Sequence, residues 1–144
     1  MKLIVCGGRH FNDALLLRQT LDDLHAKRGF TAMMHGGATG ADTLAKEWAA
    51  GKPIDRYVCH ANWRAYGRAA GPRRNAKMLL WKPDLVVAFP GGMGTADMVK
   101  RAKAAGIEVI EVAARPGGLT ECLGDDFDRE RERSRALTAI LLLR

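Results

Sequence analysis

Short apolar runs alternate along the chain with longer stretches of helical periodicity. The first run, residues 2–6, is broken by Gly7-Gly8-Arg9. Asn12 or Asp13 can then cap a helix, because Leu16, Leu17, Thr20, Leu21 and Leu24 fall on one face before Gly29 ends the segment. A second strand over 30–34 leads directly into His35-Gly-Gly-Ala-Thr-Gly-Ala-Asp42 and a helix bearing Leu44, Ala45, Trp48 and Ala49, closed by Gly51 and Pro53. A third strand covers 54–59, and residues 60–72 show the least order. Pro72 suits a first helical position, with a short basic helix continuing over 73–81 and turning Met78 and Leu79 inward. Residues 85–89 are wholly apolar, the pattern of a strand buried on both faces, and Pro90 stops it because proline brings no amide to a ladder. Gly91, Gly92 and Gly94 permit a turn, Thr95 is the expected cap of a helix over 96–105, and Gly106 separates it from a fifth strand over 107–112.

Strands alternating with helices through short turns predict an α/β architecture, an open, mostly parallel sheet of five or more strands with helices on both faces. In such a sheet the ligand crevice lies beyond the carboxyl ends of the strands, where the glycine turns at 7–8, 36–37 and 91–92 can share one rim. This domain is expected over 1–112. Residues 113–144 read as a C-terminal extension, with a helix over 128–143 that lays Leu137, Ile140 and Leu141 on apolar surface.

Composition narrows the class. A chain of 144 residues with 47% hydrophobic content can bury a core without staples. No basic-then-apolar leader opens it, and the late apolar run at 139–143 is too short for a bilayer, so a cytoplasmic protein with no membrane partner is expected. Cys6, Cys59 and Cys122 form no C-x-x-C pair, which argues against a disulfide framework and a zinc knot. The formal charge of +7 is uneven, with 17 basic against 10 acidic residues over 1–112 and 6 of each beyond. Arg56, Arg64, Arg68, Arg73, Arg74, Lys77 and Lys82 follow one another without an acidic residue between them. They read either as an anion-binding wall or as a solvated helix face.

A strand, a glycine turn and a helix start leave several amides aimed at one place, and amides so arranged hold an anion. Pro90, Gly91, Gly92, Gly94 and Thr95 form the first such candidate. Gly36, Gly37, Thr39, Gly40 and Asp42 form the second, where Thr39 or Asp42 is either a simple cap or part of a phosphate and ribose edge. Neither is a P-loop, since no Gly-Lys-Ser/Thr follows, and the first turn lacks G-x-G-x-x-G, so ATP hydrolysis and hydride transfer have little support. Arg74 offers a fork matched to phosphate oxygens, Arg9 is a second candidate for that duty, and Asn75 can bond a base edge or brace the backbone. Trp63 and Tyr66 can stack on a base or serve packing. No His/Cys/Asp grouping has metal-ligand spacing, and no metal or other cofactor is expected.

Gly7-Gly8-Arg9-x-Phe11, His35 to Asp42, Ala61-x-Trp63-x-x-Tyr66-Gly67, Ala70-Gly-Pro-x-Arg-Asn75-x-x-Met78 and Ala88-Phe-Pro-Gly-Gly-x-Gly-Thr95 together resemble the YspA/YpsA-related branch of the SLOG superfamily. The resemblance implies a Rossmann-type domain over about 1–112 that binds a nucleotide or nucleotide-derived ligand, ADP-ribose-like or a nucleoside phosphate. Its site would comprise Gly7, Gly8, Arg9, Gly36, Gly37, Thr39, Gly40, Asp42, Arg74, Asn75, Pro90, Gly91, Gly92, Gly94 and Thr95. The wider superfamily includes the LOG phosphoribohydrolases and the single-strand binder DprA. In the LOG pattern an arginine and a lysine precede the helix and a glutamate follows the glycine motif. Here Arg74 matches, Asn75 replaces the lysine, and Met98 holds the glutamate position, where it can neither give nor take a proton. One alternative is therefore an N-glycosidase on nucleoside monophosphates in which Arg74 steadies phosphate and Asp97 or Asp42 supplies the acid. Another is a single-stranded nucleic-acid-binding protein using the basic wall. By the same resemblance the chain is expected to be a homo-oligomer, with a dimer favoured.

Overall fold

Five strands form one sheet: β1 (Lys2–Cys6), β2 (Ala32–His35), β3 (Asp55–Val58), β4 (Leu85–Ala88) and β5 (Glu108–Glu111). Their order is β3-β2-β1-β4-β5, and every pairing is parallel. The computed structural model describes residues 1–116, and the helix expected over 128–143 lies outside the described residues. The connecting helices are α1 (Ala14–Arg28), α2 (Ala41–Ala49), α3 (Trp63–Tyr66), α4 (Ala70–Leu79) and α5 (Met93–Ala104), with one 3-10 turn at Gly67–Ala69.

The two-residue period of the strands sorts side chains onto two faces. Leu3, Val5, Met33, Leu85, Val87 and Phe89 meet Leu16, Leu17, Leu21 and Leu24 of α1 and Ala45 and Trp48 of α2. Ile4 and Val86 meet Met78 of α4 and Met98 and Ala102 of α5 on the other face. β4 lies between two strands and under helices on both sides, and all four of its residues are buried. β3 is an edge strand, and all four of its residues are exposed. The rule that a continuous apolar run marks a doubly covered strand therefore separates centre from edge correctly.

Local chemistry sets most element ends. Asp13 caps α1, its carboxylate accepting the Leu16 amide at 3.1 Å, and Gly29 ends it at φ 71°. Two helix starts differ from the sequence reading. α4 begins at Ala70, so Pro72 is its third residue rather than its first; a first-turn amide has no helical acceptor in any case, and proline fits there equally well. α5 begins at Met93 with Gly92 as its cap, so Thr95 is the third helical residue and not the cap. The chain order reverses between β1 and β4, whose following helices leave to opposite faces, and this opens a crevice at the carboxyl ends of the strands.

Candidate functional site

Gly8 ties three loops together. Its amide donates to the Pro90 carbonyl at 2.9 Å, and its own carbonyl accepts the amides of Phe11 and Ala41, each at 3.2 Å. A methyl at Gly8 would lie 2.9 Å from the Pro90 oxygen, and one at Gly7 would lie 2.5 Å from the Ala41 side chain. These glycines are required by backbone contact between loops. Beyond the junction the crevice has a volume of about 1220 Å³, and Gly7, Gly8, Arg9, Gly36, Asp42 and Arg74 contribute to its wall. Asn75 and the whole turn of Pro90, Gly91, Gly92, Gly94 and Thr95 line it as well. Gly37, Thr39 and Gly40 are not in that wall.

The turn after β2 is filled by its own helix. Asp42, the second residue of α2, turns its carboxylate back to accept the amides of Gly36 and Ala38, both at 3.1 Å. The Gly37 amide donates to Nδ1 of His35 at 3.0 Å, and the Thr39 hydroxyl donates to the Arg9 carbonyl at 3.2 Å. The amides of Gly36, Gly37 and Ala38 are thus engaged before any ligand arrives, and Asp42 orients the loop instead of merely capping α2. Burial raises the Asp42 carboxyl above its ordinary value, against the opposing pull of the Ala38 amide, the Arg74 charge and the Gly36 amide. His35 is buried, and burial, reinforced by the positive charges of Lys46, His60 and Arg56, lowers its imidazole to about 4. With Nδ1 accepting, its proton sits on Nε2, which has no hydrogen-bond partner among the described residues.

The turn after β4 is open. No side chain caps α5, so its first amides, at Met93, Gly94 and Thr95, lack helical acceptors and stand at the positive end of the helix dipole. A methyl added at Gly92 or Gly94 would meet nothing within 4 Å, whereas one at Gly91 would lie 2.3 Å from the Thr95 hydroxyl and 2.6 Å from the Gly8 amide. Gly91 is a packing glycine. Gly94 is a helical glycine of the crevice wall with no atom within 4 Å of a methyl added there.

Arg74 and Asn75, on α4, join the two turns. Arg74 donates through Nη1 to the Gly36 carbonyl and through Nε to Asn75 Oδ1, each at 3.0 Å. Its fork comes so close to Gly36 that a methyl there would lie 2.2 Å from Nη1. Buried Asn75 passes the connection on, donating through Nδ2 to the Gly94 carbonyl at 3.1 Å and to Asp97 Oδ2 at 3.0 Å. Its side chain braces backbone, the second of the two duties foreseen for it, while Arg74 uses Nε and Nη1, and no hydrogen bond from its Nη2 occurs among the described residues. Asp97 also takes the Arg101 guanidinium at 2.9 Å, so the carboxylate weighed as an acid is held by two partners. Met98, at the glutamate position of the LOG pattern, is buried in the core beneath α5.

Arg68 and Arg115 of the wall lie outside the motifs quoted for the resemblance, whereas Arg9 and Trp63 lie within them. Arg9 lies with its guanidinium 5.1 Å from the centre of the Trp63 ring, and both residues line the crevice, as does Arg68. Arg115, four residues past β5, pairs with Asp13 across the mouth. For Arg115 the rule that ligands gather beyond the carboxyl ends of strands was the one signal that pointed there. Cys6 is part of the floor, and burial, with the nearby Asp42 charge, pushes its thiol up to about 12, which keeps it protonated. No cluster of three or more His, Cys, Asp or Glu placed to hold a metal occurs among the described residues, and none of their helices is long and apolar enough to cross a membrane.

A family profile described as "YspA, cpYpsA-related SLOG family" matches residues 1–66. Gene 61 protein of Mycobacterium phage D29 is 32% identical over 123 residues, covering 80% of this chain and 98% of that protein. Among solved structures, DNA processing protein A (DprA) from Streptococcus pneumoniae is similar with a TM-score of 0.61 at 16% identity, over 98% of this chain and 56% of DprA. The likeness to DprA is one of fold, and the chain spans little more than half of DprA's length.

Proposed function

The chain belongs to the YspA, cpYpsA-related SLOG family, and from that premise we propose that its crevice binds or senses a nucleotide or nucleotide-derived ligand, a nucleoside phosphate or an ADP-ribose-like molecule. The observation that carries this reading is the uncapped start of α5 opening into the crevice beside the unengaged side of Arg74. The amides around Gly92, Gly94 and Thr95 receive the phosphate, since converging amides at a helix start favour an anion and arginine matches its oxygens. Gly7, Gly8, Pro90 and Gly91 frame the seat, and Gly36, Asp42 and Asn75 position Arg74. Gly37, Thr39 and Gly40 act from behind by shaping the loop that Arg74 grips. Calorimetric titration of nucleotide-stripped protein with AMP, ADP, ADP-ribose and NAD tests the reading, with the mixtures then separated by chromatography. Saturable binding of a ligand recovered intact supports a sensor. Release of free base turns the site into a glycosidase and makes Asp97 and Asp42 the acids to substitute. No binding of any phosphate-bearing ligand refutes it.

A second reading rests on a separate observation. Arg56, Arg64, Arg68, Arg73, Lys77 and Lys82 are all exposed, and among the described residues none has an acidic partner within ion-pair distance. Such a wall suits a single-stranded nucleic acid, and the fold likeness to a DNA processing protein is compatible with it. Its mark is an affinity that rises with oligonucleotide length and falls with salt at a log–log slope of roughly −0.7 per phosphate neutralised. Self-association belongs to the same set of proposals. The edge strand β3 presents Tyr57 and Val58 to solvent at 45% and 43% exposure, and light scattering decides whether a second copy covers them.

A further inference from the structure

Two large apolar side chains stand in water at the mouth of the crevice. Trp63, on α3, is 48% exposed, and Met93, at the start of α5, is 90% exposed; both line the crevice and neither belongs to either core. The indole is not loose. The Arg9 guanidinium covers one face at 5.1 Å, and its outer edge passes over the first turn of α4, where a methyl on buried Gly71 would come within 3.4 Å of Cη2. An exposed aromatic face held beside an anion seat, with a planar cation already stacked on it, is the arrangement that accepts a flat heterocycle.

Building on the nucleotide reading above, we propose that the indole of Trp63, with Arg9 as its second wall, is the seat of the ligand's base, so that the crevice selects nucleotides over bare sugar phosphates. The crevice volume of about 1220 Å³ exceeds the roughly 300–1,000 Å³ common for small-molecule sites, which leaves room past a phosphate and a ribose. Every nucleobase has a stacking face, so this seat tolerates purines and pyrimidines alike. Arg9 has a place in either state, stacked on Trp63 when the crevice is empty and on the outer face of the base when it is filled.

The test compares AMP with ribose 5-phosphate by titration against the full chain and against Trp63→Leu and Trp63→Phe. Trp63 lies on an exposed four-residue helix outside both cores, and thermal midpoints verify that the variants fold. AMP is expected to bind more tightly than ribose 5-phosphate by roughly 5- to 150-fold, the range of one base stacked on an aromatic ring. Trp63→Leu should abolish that ratio without changing ribose 5-phosphate affinity, and Trp63→Phe should keep most of it. AMP should also quench indole emission in the wild type and not in Trp63→Leu, where Trp48 and Trp81 remain. Equal affinities for the two ligands in the wild type, or a ratio that survives Trp63→Leu, overturn the base seat and leave the phosphate site standing. Failure of both ligands to bind overturns the base seat, and failure of ADP, ADP-ribose and NAD as well overturns the nucleotide reading with it.

Discussion

Residues 36–42 and 91–97 both read Gly-Gly-x-x-x-Ala-Asp, both follow an apolar strand, and both enter a helix. The structure uses them in opposite ways. In the first, α2 starts late, at Ala41, so the aspartate is its second residue and reaches back to the loop amides. In the second, α5 starts early, at Met93, so the aspartate is its fifth residue and has turned away to Asn75 and Arg101. One loop supplies its own anion and becomes a wall. The other keeps its first helical amides unanswered by any side-chain cap, which is what makes it the proposed seat. The lesson is that a glycine turn before a helix signals an anion site only when no carboxylate of the chain already occupies it.

The sharpest way to break the contrast is to strike the filled loop at its hinge. Gly40 has φ 75° and ψ −125°, and a methyl there would lie 2.2 Å from the Gly8 carbonyl oxygen. Gly40→Ala should lower stability by about 3 kcal/mol or more, through backbone strain and the lost loop junction, and urea denaturation would read it. A midpoint within error of the wild type would show that the loops are not locked together at Gly8. Next in size is Asp42→Ala, which orphans two amides and should cost about 2 kcal/mol, less than two full penalties because it also relieves a buried charge. Asp42→Asn keeps an acceptor and should cost less. Because the folded value of Asp42 is raised, its contribution is fully present below the unfolded carboxylate range and is lost as pH rises through that folded value. The wild type should therefore lose ground to Asp42→Asn as pH rises across the carboxylate range, and a constant gap would contradict it.

His35 heads the same loop and titrates in the opposite sense. Its folded value of about 4 lies below the ordinary 6.5, so the unfolded chain takes up a proton that the native state refuses. Stability is intact above pH 6.5 and is eroded as pH falls toward 4. At pH 5.5 the loss should be about 1.2 kcal/mol relative to neutral pH. Denaturation midpoints in His35→Asn, measured at several pH values, should lack this component, and an identical slope in the variant would place the titration elsewhere.

Much of this was legible in the residues. The five strands, the parallel sheet and the convergence of three glycine turns follow from apolar runs, breakers and the crossover rule. What escaped was decided by contacts across the fold. Thr95 reads as a cap from its type, yet Gly92 begins α5 without any side-chain help. Asn75 reads equally as a group for a base edge or as a backbone brace, and only the spacing of α4 and α5 decides for the brace by committing its side chain to Gly94 and Asp97. Arg115 has no motif around it and enters only because β5 ends on the same rim. Local propensity cannot see which partner a loop will meet.

The smallest expected change in stability is the most discriminating. Gly94 is the second residue of α5, exposed, and clear of any atom that a methyl would touch within 4 Å. Glycine in a helix is about 0.5–1 kcal/mol less favourable than alanine, so the fold alone would prefer alanine here. Gly94→Ala should leave the urea midpoint unchanged or raise stability by no more than about 1 kcal/mol. If the space beside Gly94 is where phosphate oxygens approach the amides, the same methyl should weaken AMP and ribose 5-phosphate alike by about tenfold or more, the worth of one hydrogen bond to a charged group. Gly40→Ala could lose binding merely by unfolding the site, whereas Gly94→Ala can lose it only by filling the seat. Unchanged affinity for both ligands in a stable Gly94→Ala protein would mean that the open loop is open for some other reason, and the contrast between the two turns would then be one of packing alone.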